Sequence, residues 1–128
     1  MKSPESNQAI GAYGEALAER ALIEAGYQII GKNWRYKHCE IDFIAREGEM
    51  LVFVEVKARN SDRFGEPYEA VGHGKMRALS RAAQAYLREQ RWKGESRFDI
   101  VSIVLRPSAQ QDLGSPRLDI IKDAFWPG

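Results

Sequence analysis

The chain has 128 residues, of which 44% are hydrophobic and 29% are charged, and its formal net charge is +1. This length corresponds to one domain, and the composition is that of a globular protein rather than a disordered chain. The near-neutral charge excludes a uniformly basic protein, so any surface for nucleic acid must be local.

The cysteine content and the hydropathy pattern restrict the compartment. Cys39 is the single cysteine, which excludes an internal disulfide and a multi-cysteine zinc site and fits a reducing compartment. No apolar stretch approaches the length of a membrane span, and the first seven residues lack the apolar core of a signal peptide. We therefore expect one cytoplasmic domain over residues 1–128, without membrane contact, in which residues 1–7 form a disordered tail.

The first predicted elements are a helix and two strands. Apolar residues recur at helical spacing over residues 8–25, and Gly26 is the expected C-cap. A short strand is predicted at 27–31. A second strand is predicted within 34–46, and its apolar face is formed by alternate residues, Cys39, Ile41, Phe43 and Ala45.

A third strand, predicted at 50–58, forms a hairpin with the second. The charged break around Gly48 indicates a tight turn, and a two-residue loop places Asp42 opposite Glu55 or Phe53. The apolar faces of both strands then lie on the same side. Polar residues of the two strands converge on one patch of sheet in this arrangement: Glu40, Asp42, Glu55 and Lys57.

The remainder of the chain predicts one helix and two strands. A polar loop at 59–74 precedes a helix at 75–92 with arginines on its outer side, and a strand follows at 98–105. This crossover favours a parallel strand pair. A loop at 107–116 and an edge strand at 118–121 complete an α/β fold with a central mixed sheet of four or five strands flanked by helices. Phe125 and Trp126 either dock on this sheet or contact a second subunit.

The carboxylates of the hairpin predict a cation site. Several negative charges beside one lysine are costly to bring together unless a divalent metal lies among them. Hard carboxylate oxygens favour Mg²⁺ or Mn²⁺. The alternative is that Glu55 and Lys57 are a solvated pair on an exposed face, since this triplet also occurs by chance.

A local excess of positive charge lies between His73 and Arg97, where seven lysines and arginines accompany two glutamates. Cations of this kind bind phosphate backbones without regard to sequence. The candidates for such contacts are Arg59, Lys75, Arg77 and Arg81. The alternative is that Arg77, Arg81 and Arg88 only solubilise the outer face of the helix.

Two motifs carry a resemblance to a known family. They are Glu40-Ile41-Asp42-Phe43-Ile44 and the segment from Val52 to Arg59 that contains Glu55-Val56-Lys57. Together with Gly14-Glu15, Lys75 and Arg97-Phe98-Asp99, they resemble the YraN-like family of uncharacterised bacterial proteins. That family belongs to the PD-(D/E)xK nuclease superfamily, which includes the Holliday-junction resolvases. Cys39 stands where the family usually has glycine, and we expect altered packing there.

The resemblance implies a restriction-endonuclease-like core and a role for each site residue. Asp42 and Glu55 would bind the Mg²⁺ or Mn²⁺ ion, and Lys57 would position or activate the attacking water. Glu15 matches a further acidic ligand of the resolvases, and the alternative is that it is an ordinary exposed acid of the helix. The backbone carbonyl of Val56 is another candidate ligand. Glu40, which shares a face with Asp42 and is counted with the catalytic residues, is either a helper ligand or a residue at the rim.

The function implied by the resemblance is metal-dependent hydrolysis of phosphodiester bonds in DNA, with branched or junction DNA as the expected substrate. By analogy with the resolvases, the protein would act as a homodimer, because symmetric cleavage of two strands needs two sites. Two alternatives remain. One is an inactive nucleic-acid-binding or scaffolding protein on the nuclease fold, and the other is an RNA-processing nuclease.

Overall fold

The computed structural model describes residues 7–61, 63, 65, 71–107 and 115–125. Four predicted features fall wholly or partly outside these residues: the tail up to residue 6, parts of the loops at 59–74 and 107–116, and Trp126. The described residues contain no helix that is long and apolar enough to cross a membrane.

The described elements follow the predicted order of one helix, three strands, a second helix and two strands. In chain order they are α1 (Asn7–Glu24), β1 (Gln28–Tyr36), β2 (Cys39–Glu47), β3 (Met50–Ser61), α2 (His73–Glu89), β4 (Ser96–Arg106) and β5 (Arg117–Phe125). The five strands form one sheet in the order β1-β2-β3-β4-β5. Only the β3–β4 pair is parallel in this sheet. The predicted α/β class with a mixed sheet and a restriction-endonuclease-like core is therefore confirmed.

The two helices cover opposite faces of the sheet. Successive residues of β3 point to opposite sides. Val52 and Val54 pack with Leu22 of α1, whereas Leu51 and Phe53 pack with Leu79 of α2. We call these sides the α1 face and the α2 face. Burial on both faces explains why β3 is apolar over most of its length rather than strictly alternating.

Several strands are longer than the sequence predicts. Residues 34–36 belong to β1 rather than to the second strand, because Tyr36 pairs with Cys39 across a turn at Lys37 and His38. β3 continues through residue 61, beyond the predicted end at 58, because its pairing with β4 extends to Ser61 and Arg106. The parallel pairing that the crossover predicts for these two strands is confirmed.

The structure also decides two local predictions, one at the end of α1 and one near the C-terminus. Gly26 ends α1 in the left-handed conformation with φ of 97°, and the Tyr27 N–H donates to the Leu22 carbonyl, as expected for a glycine C-cap. At the other end of the chain, the ring of Phe125 stacks on Phe98 with 4.6 Å between centroids. Phe125 therefore docks on the sheet.

The β2–β3 hairpin has the predicted two-residue turn. Glu47 pairs with Met50 and Phe43 pairs with Val54, which leaves Gly48 and Glu49 in the turn. Gly48 adopts a φ of 61°, which suits glycine at this position. The alternate apolar residues of the two strands nearest the turn face α1 together, as predicted: Phe43, Ala45, Met50, Val52, Val54 and Val56.

The predicted apolar face of β2 is confirmed near the turn, but the prediction is wrong for Cys39 and Ile41. Phe43 packs on the α1 face, but Ile41 is buried on the α2 face and Cys39 packs beside it. The strand therefore switches faces at Asp42. β1 switches at the neighbouring position, because Lys32 forms an ion pair with Glu19 of α1 whereas Trp34 packs on the α2 face. The residue between them, Asn33, has a φ of 51°.

Candidate metal centre

The site begins where the β2–β3 ladder ends. Beyond the pair of Phe43 and Val54, the Val56 N–H donates to the Asp42 carboxylate, with 2.7 Å between N and Oδ2. A side-chain carboxylate thus takes the place of a backbone carbonyl as the acceptor. This hydrogen bond fixes the Asp42 carboxylate against the β3 backbone at the point where β2 switches faces.

Glu15 reaches the same place from α1 because the helix lies very close to the sheet. A Cβ atom on Gly14 would lie only 2.7 Å from the Cβ of Ala58. A residue larger than glycine therefore does not fit at this position unless the backbone moves. Gly14 is buried in this contact. The close approach places the next residue, Glu15, beside the end of β2.

Four carboxyl groups form what we call the acidic cluster: Glu15, Glu40, Asp42 and Glu55. One carboxylate oxygen from each of Glu15, Glu40 and Asp42 lies within 4.8 Å of the other two. Asp42 also lies within hydrogen-bonding reach of the Glu55 side chain. The structure therefore brings Asp42 and Glu55 together as the sequence predicts, and Asp42 is the residue that joins the two halves of the cluster.

The pKa values reflect this crowding of like charges. The pKa of Asp42 is raised from 3.8 to about 8, mainly by burial and then by the hydrogen bond with Glu55 and the charge of Glu55. Burial and the neighbouring Asp42 also raise the pKa of Glu15. The cluster therefore holds a proton near neutral pH more readily than isolated carboxylates do.

Glu55 lies on the α2 side of the cluster and is 5% exposed. Its Oε2 forms an ion pair with Lys75 Nζ at 3.4 Å. The charge of Glu55 raises the pKa of Lys75. Lys75, predicted as a phosphate contact, is thus held against an acidic residue of the site, and its position connects α2 to the acidic cluster.

A cleft of about 790 Å³ runs along the α1 side of the cluster. Five of the residues predicted for the site line it: Glu15, Asp42, Val56, Lys57 and Arg59. Lys57 lines this cleft and forms no ion pair with any residue in the described ranges. Val56 contributes its amide to Asp42, and its carbonyl as a ligand stays a prediction.

A second cleft, of about 270 Å³, lies between the β1–β2 turn and α2. Lys75 and Arg81 line it from the helix, and Lys37 and His38 line it from the turn. Arg77 is exposed on α2 outside this cleft. Lys37 and His38 were not predicted for this surface, because they are far from α2 in the chain and meet it only because residues 34–36 belong to β1.

Asn33 is the other residue of the site that sequence reasoning missed. Its side-chain amide donates to Glu15 and to Glu40, and both N–O distances are 3.1 Å. A single asparagine between two strands carries no recognisable pattern. The backbone at Asn33 is left-handed, and asparagine tolerates this conformation better than most residues do. This is the feature of the structure that explains an asparagine at this position.

The donor set fits Mg²⁺ or Mn²⁺. All of the available side-chain donors in the cluster are carboxylate oxygens, the ligand type that these ions prefer. Oxygens on opposite sides of an octahedral ion of this size are about 4.2 Å apart, which matches a group of oxygens within 4.8 Å of one another. The residues suited to hold such an ion are Glu15, Glu40 and Asp42, with Glu55 next to Asp42.

A different charged group lies on the α1 face of the sheet near the β2–β3 turn. We call it the charge network; it comprises Tyr27, Glu47, Arg97, Asp99 and Lys122. Asp99 is fully buried and accepts hydrogen bonds from the Tyr27 hydroxyl at 2.6 Å and from Arg97 Nε at 2.8 Å. Glu47 accepts from Arg97 at 2.6 Å and from Lys122 at 2.8 Å. Each acid of this network therefore has a cation beside it.

Comparison with known proteins gives a consistent match over nearly the whole chain. Residues 14–103 match the model of a family described as uncharacterised protein family UPF0102. A UPF0102 protein of Chlorobium chlorochromatii is 44% identical over 126 residues, which cover 98% of each chain. A UPF0102 protein of Rhodococcus opacus is 45% identical over 120 residues, covering 93% of this chain and 98% of that protein.

Proposed function

This chain belongs to the uncharacterised protein family UPF0102, which confirms the YraN-like resemblance, and we propose that it is a metal-dependent endonuclease acting on DNA. The observation that carries the proposal is the convergence of carboxylates from α1, β2 and β3 where the β2–β3 ladder ends. The open cleft beside them, with Lys57 and Arg59 in its wall, supports a polyanionic substrate.

Each residue of the site would have a separate role in phosphodiester hydrolysis. Glu15, Glu40 and Asp42 would hold a Mg²⁺ or Mn²⁺ ion, with Glu55 beside Asp42 as a further ligand. When bound, such an ion neutralises charge on the phosphate and lowers the pKa of coordinated water. Lys57 lies in the same cleft, where its ammonium group would orient the attacking water or stabilise charge that develops on the phosphate oxygens.

The basic residues around the cluster would position the phosphate backbone. Arg59 lines the main cleft, whereas Lys37, Lys75 and Arg81 surround the second cleft beside α2. Contacts of this kind depend on charge rather than on base identity. We therefore propose that the protein recognises the shape of branched or junction DNA and not a defined sequence, and that it acts as a homodimer.

The test is a cleavage panel in Mn²⁺ with four-way junctions, linear duplex DNA and structured RNA. We expect the junction to be cut by the wild type, and we expect Asp42→Asn and Lys57→Ala each to remove cleavage while binding of the junction is retained. Asp119→Asn is the matched control, because this carboxylate is exposed on β5 at the far edge of the sheet. Its cleavage rate should equal that of the wild type.

Three results would contradict the proposal. Equal cleavage by the wild type, Asp42→Asn and Lys57→Ala would show that another site or a contaminant is responsible. Junction binding without cleavage at any Mn²⁺ concentration would favour the non-catalytic alternative. Cleavage confined to RNA would keep the roles of the residues and change the substrate.

A further inference from the structure

We infer that Asn33 is a positioning residue of the acidic cluster, which holds Glu15 of α1 and Glu40 of β2 at the separation that a shared cation needs. The purpose of this positioning rests on the proposed function. Its geometry rests on contacts that the metal-free protein already makes. Asn33 itself need not touch the metal or the nucleic acid.

The contacts of Asn33 join Glu15 of α1 to Glu40 of β2, two side chains of like charge. Its amide nitrogen lies 3.1 Å from Glu15 Oε1 and 3.1 Å from Glu40 Oε1. A primary amide carries two N–H groups, so each hydrogen serves one carboxylate. Without these donors the two carboxylates would repel each other and move apart. The amide therefore opposes the repulsion while adding no charge of its own.

The backbone explains why an asparagine can occupy this place. Both strands of the β1–β2 hairpin switch faces at the level of Asn33 and Asp42, with Lys32 and Phe43 on the α1 face and Trp34 and Ile41 on the α2 face. The φ of 51° at Asn33 belongs to the left-handed region. The same irregularity therefore turns the Asp42 carboxylate toward β3 and brings the Asn33 amide to Glu15 and Glu40.

The first experiment compares Mn²⁺ binding by calorimetry in the wild type and in Asn33→Gly. Glycine accepts the left-handed backbone, so this change removes the amide with little strain. We expect the affinity for Mn²⁺ to fall about tenfold, the lower end of the usual effect of losing a group that orients metal ligands. An unchanged affinity would overturn the inference.

A matched control separates positioning from loose attachment of the helix. Lys32→Met removes the neighbouring link between β1 and α1, the ion pair of Lys32 with Glu19 at 2.7 Å, without touching the cluster. Its Mn²⁺ affinity should stay within about twofold of the wild type, since an exposed ion pair contributes little. An equal loss in Lys32→Met and Asn33→Gly would attribute the effect to the helix and overturn the inference.

A second measurement needs no metal. In NMR spectra of the metal-free wild type, both side-chain amide protons of Asn33 should exchange slowly and show contacts to the γ-methylene protons of Glu15 and Glu40. Glu40→Gln should alter one of the two protons more than the other. If the wild type bound no Mn²⁺, the proposed function would fail while these contacts would still support the positioning. Two freely exchanging amide protons would overturn it.

Discussion

The charge network lies near the β2–β3 turn and the acidic cluster lies where the β2–β3 ladder ends, and the two groups differ in how their carboxylates are paired with cations. In the charge network, two acids are matched by Arg97 and Lys122. In the acidic cluster, Lys75 pairs with Glu55 and Arg35 pairs with Glu40, but Glu15 and Asp42 have no cationic partner within the described part of the chain.

The difference distinguishes charges that stabilise the fold, in the charge network, from charges with the properties of a binding site, in the acidic cluster. A buried carboxylate that is fully hydrogen-bonded and paired is compatible with a stable fold. Carboxylates that crowd together with raised pKa values destabilise the fold, and such groups are typical of binding and catalytic sites. The comparison therefore predicts that equivalent substitutions in the two groups change stability in opposite directions.

The largest effect is expected from Arg97→Met in the charge network. The substitution leaves the fully buried Asp99 without its cation. We expect the free energy of unfolding to fall by about 3–5 kcal/mol, the usual cost of an uncompensated buried charge. Urea denaturation measures the change, and Arg88→Met on the exposed side of α2 is the control, with an expected change below about 0.5 kcal/mol. A loss of less than about 1 kcal/mol in Arg97→Met would mean that the network contributes little.

The opposite sign is expected for Asp42→Asn in the acidic cluster. The substitution removes a carboxyl group whose pKa is raised to about 8. The side-chain oxygen of the new asparagine can still accept the hydrogen bond from the Val56 N–H. Near pH 8 the metal-free variant should be more stable than the wild type by about 1–3 kcal/mol. Thermal unfolding without metal tests this, and repetition with Mn²⁺ should stabilise the wild type alone. A destabilised variant would contradict the comparison.

The same contrast predicts how stability depends on pH. The folded-state pKa of Asp42 lies above its ordinary value, so its contribution to stability is fully present below about pH 3.8 and is lost as the pH rises through about 8. The pKa of Glu47 is lowered by hydrogen bonds from Lys122 and Arg97, so its contribution is present above about pH 4.5 and is lost only at lower pH.

Between pH 5 and pH 8 the acidic cluster should therefore determine the trend. We expect the unfolding temperature of the metal-free protein to decrease across this range. Asp42→Asn should flatten the profile, whereas Glu47→Gln should lower it without changing its slope above pH 5. A wild-type profile that rises toward pH 8 would show that the cluster is already neutralised.

The sequence was sufficient for the features that depend on neighbouring residues. The glycine at 26 and the two-residue turn at Gly48 and Glu49 follow from local backbone preferences, and the turn then sets the register that brings Asp42 near Glu55. The parallel pairing of β3 and β4 follows from the crossover through α2. Most of the fold and the central pair of carboxylates could be predicted for this reason.

The features that sequence reasoning missed depend on tertiary contacts. The face switch moves Ile41 to the α2 face although strict alternation places it with Phe43, because packing against α2 outweighs the period of the strand. Tyr27 and Asp99 are 72 residues apart in the chain, so no spacing indicates their hydrogen bond. Lys75 has the pattern of an exposed helix cation, and only the folded chain brings it to Glu55.

The smallest predicted effect compares one lysine from each group. Lys122 shares Glu47 with Arg97, so Lys122→Met should cost no more than about 0.5 kcal/mol. Lys75 is the cation that pairs with the buried Glu55 among the described residues, so Lys75→Met should cost more, about 1 kcal/mol. Urea denaturation of both variants without metal gives the two values. Saturating Mn²⁺ should then reduce the cost of Lys75→Met and leave that of Lys122→Met unchanged, because only the acidic cluster offers the ion a place to replace the lost charge.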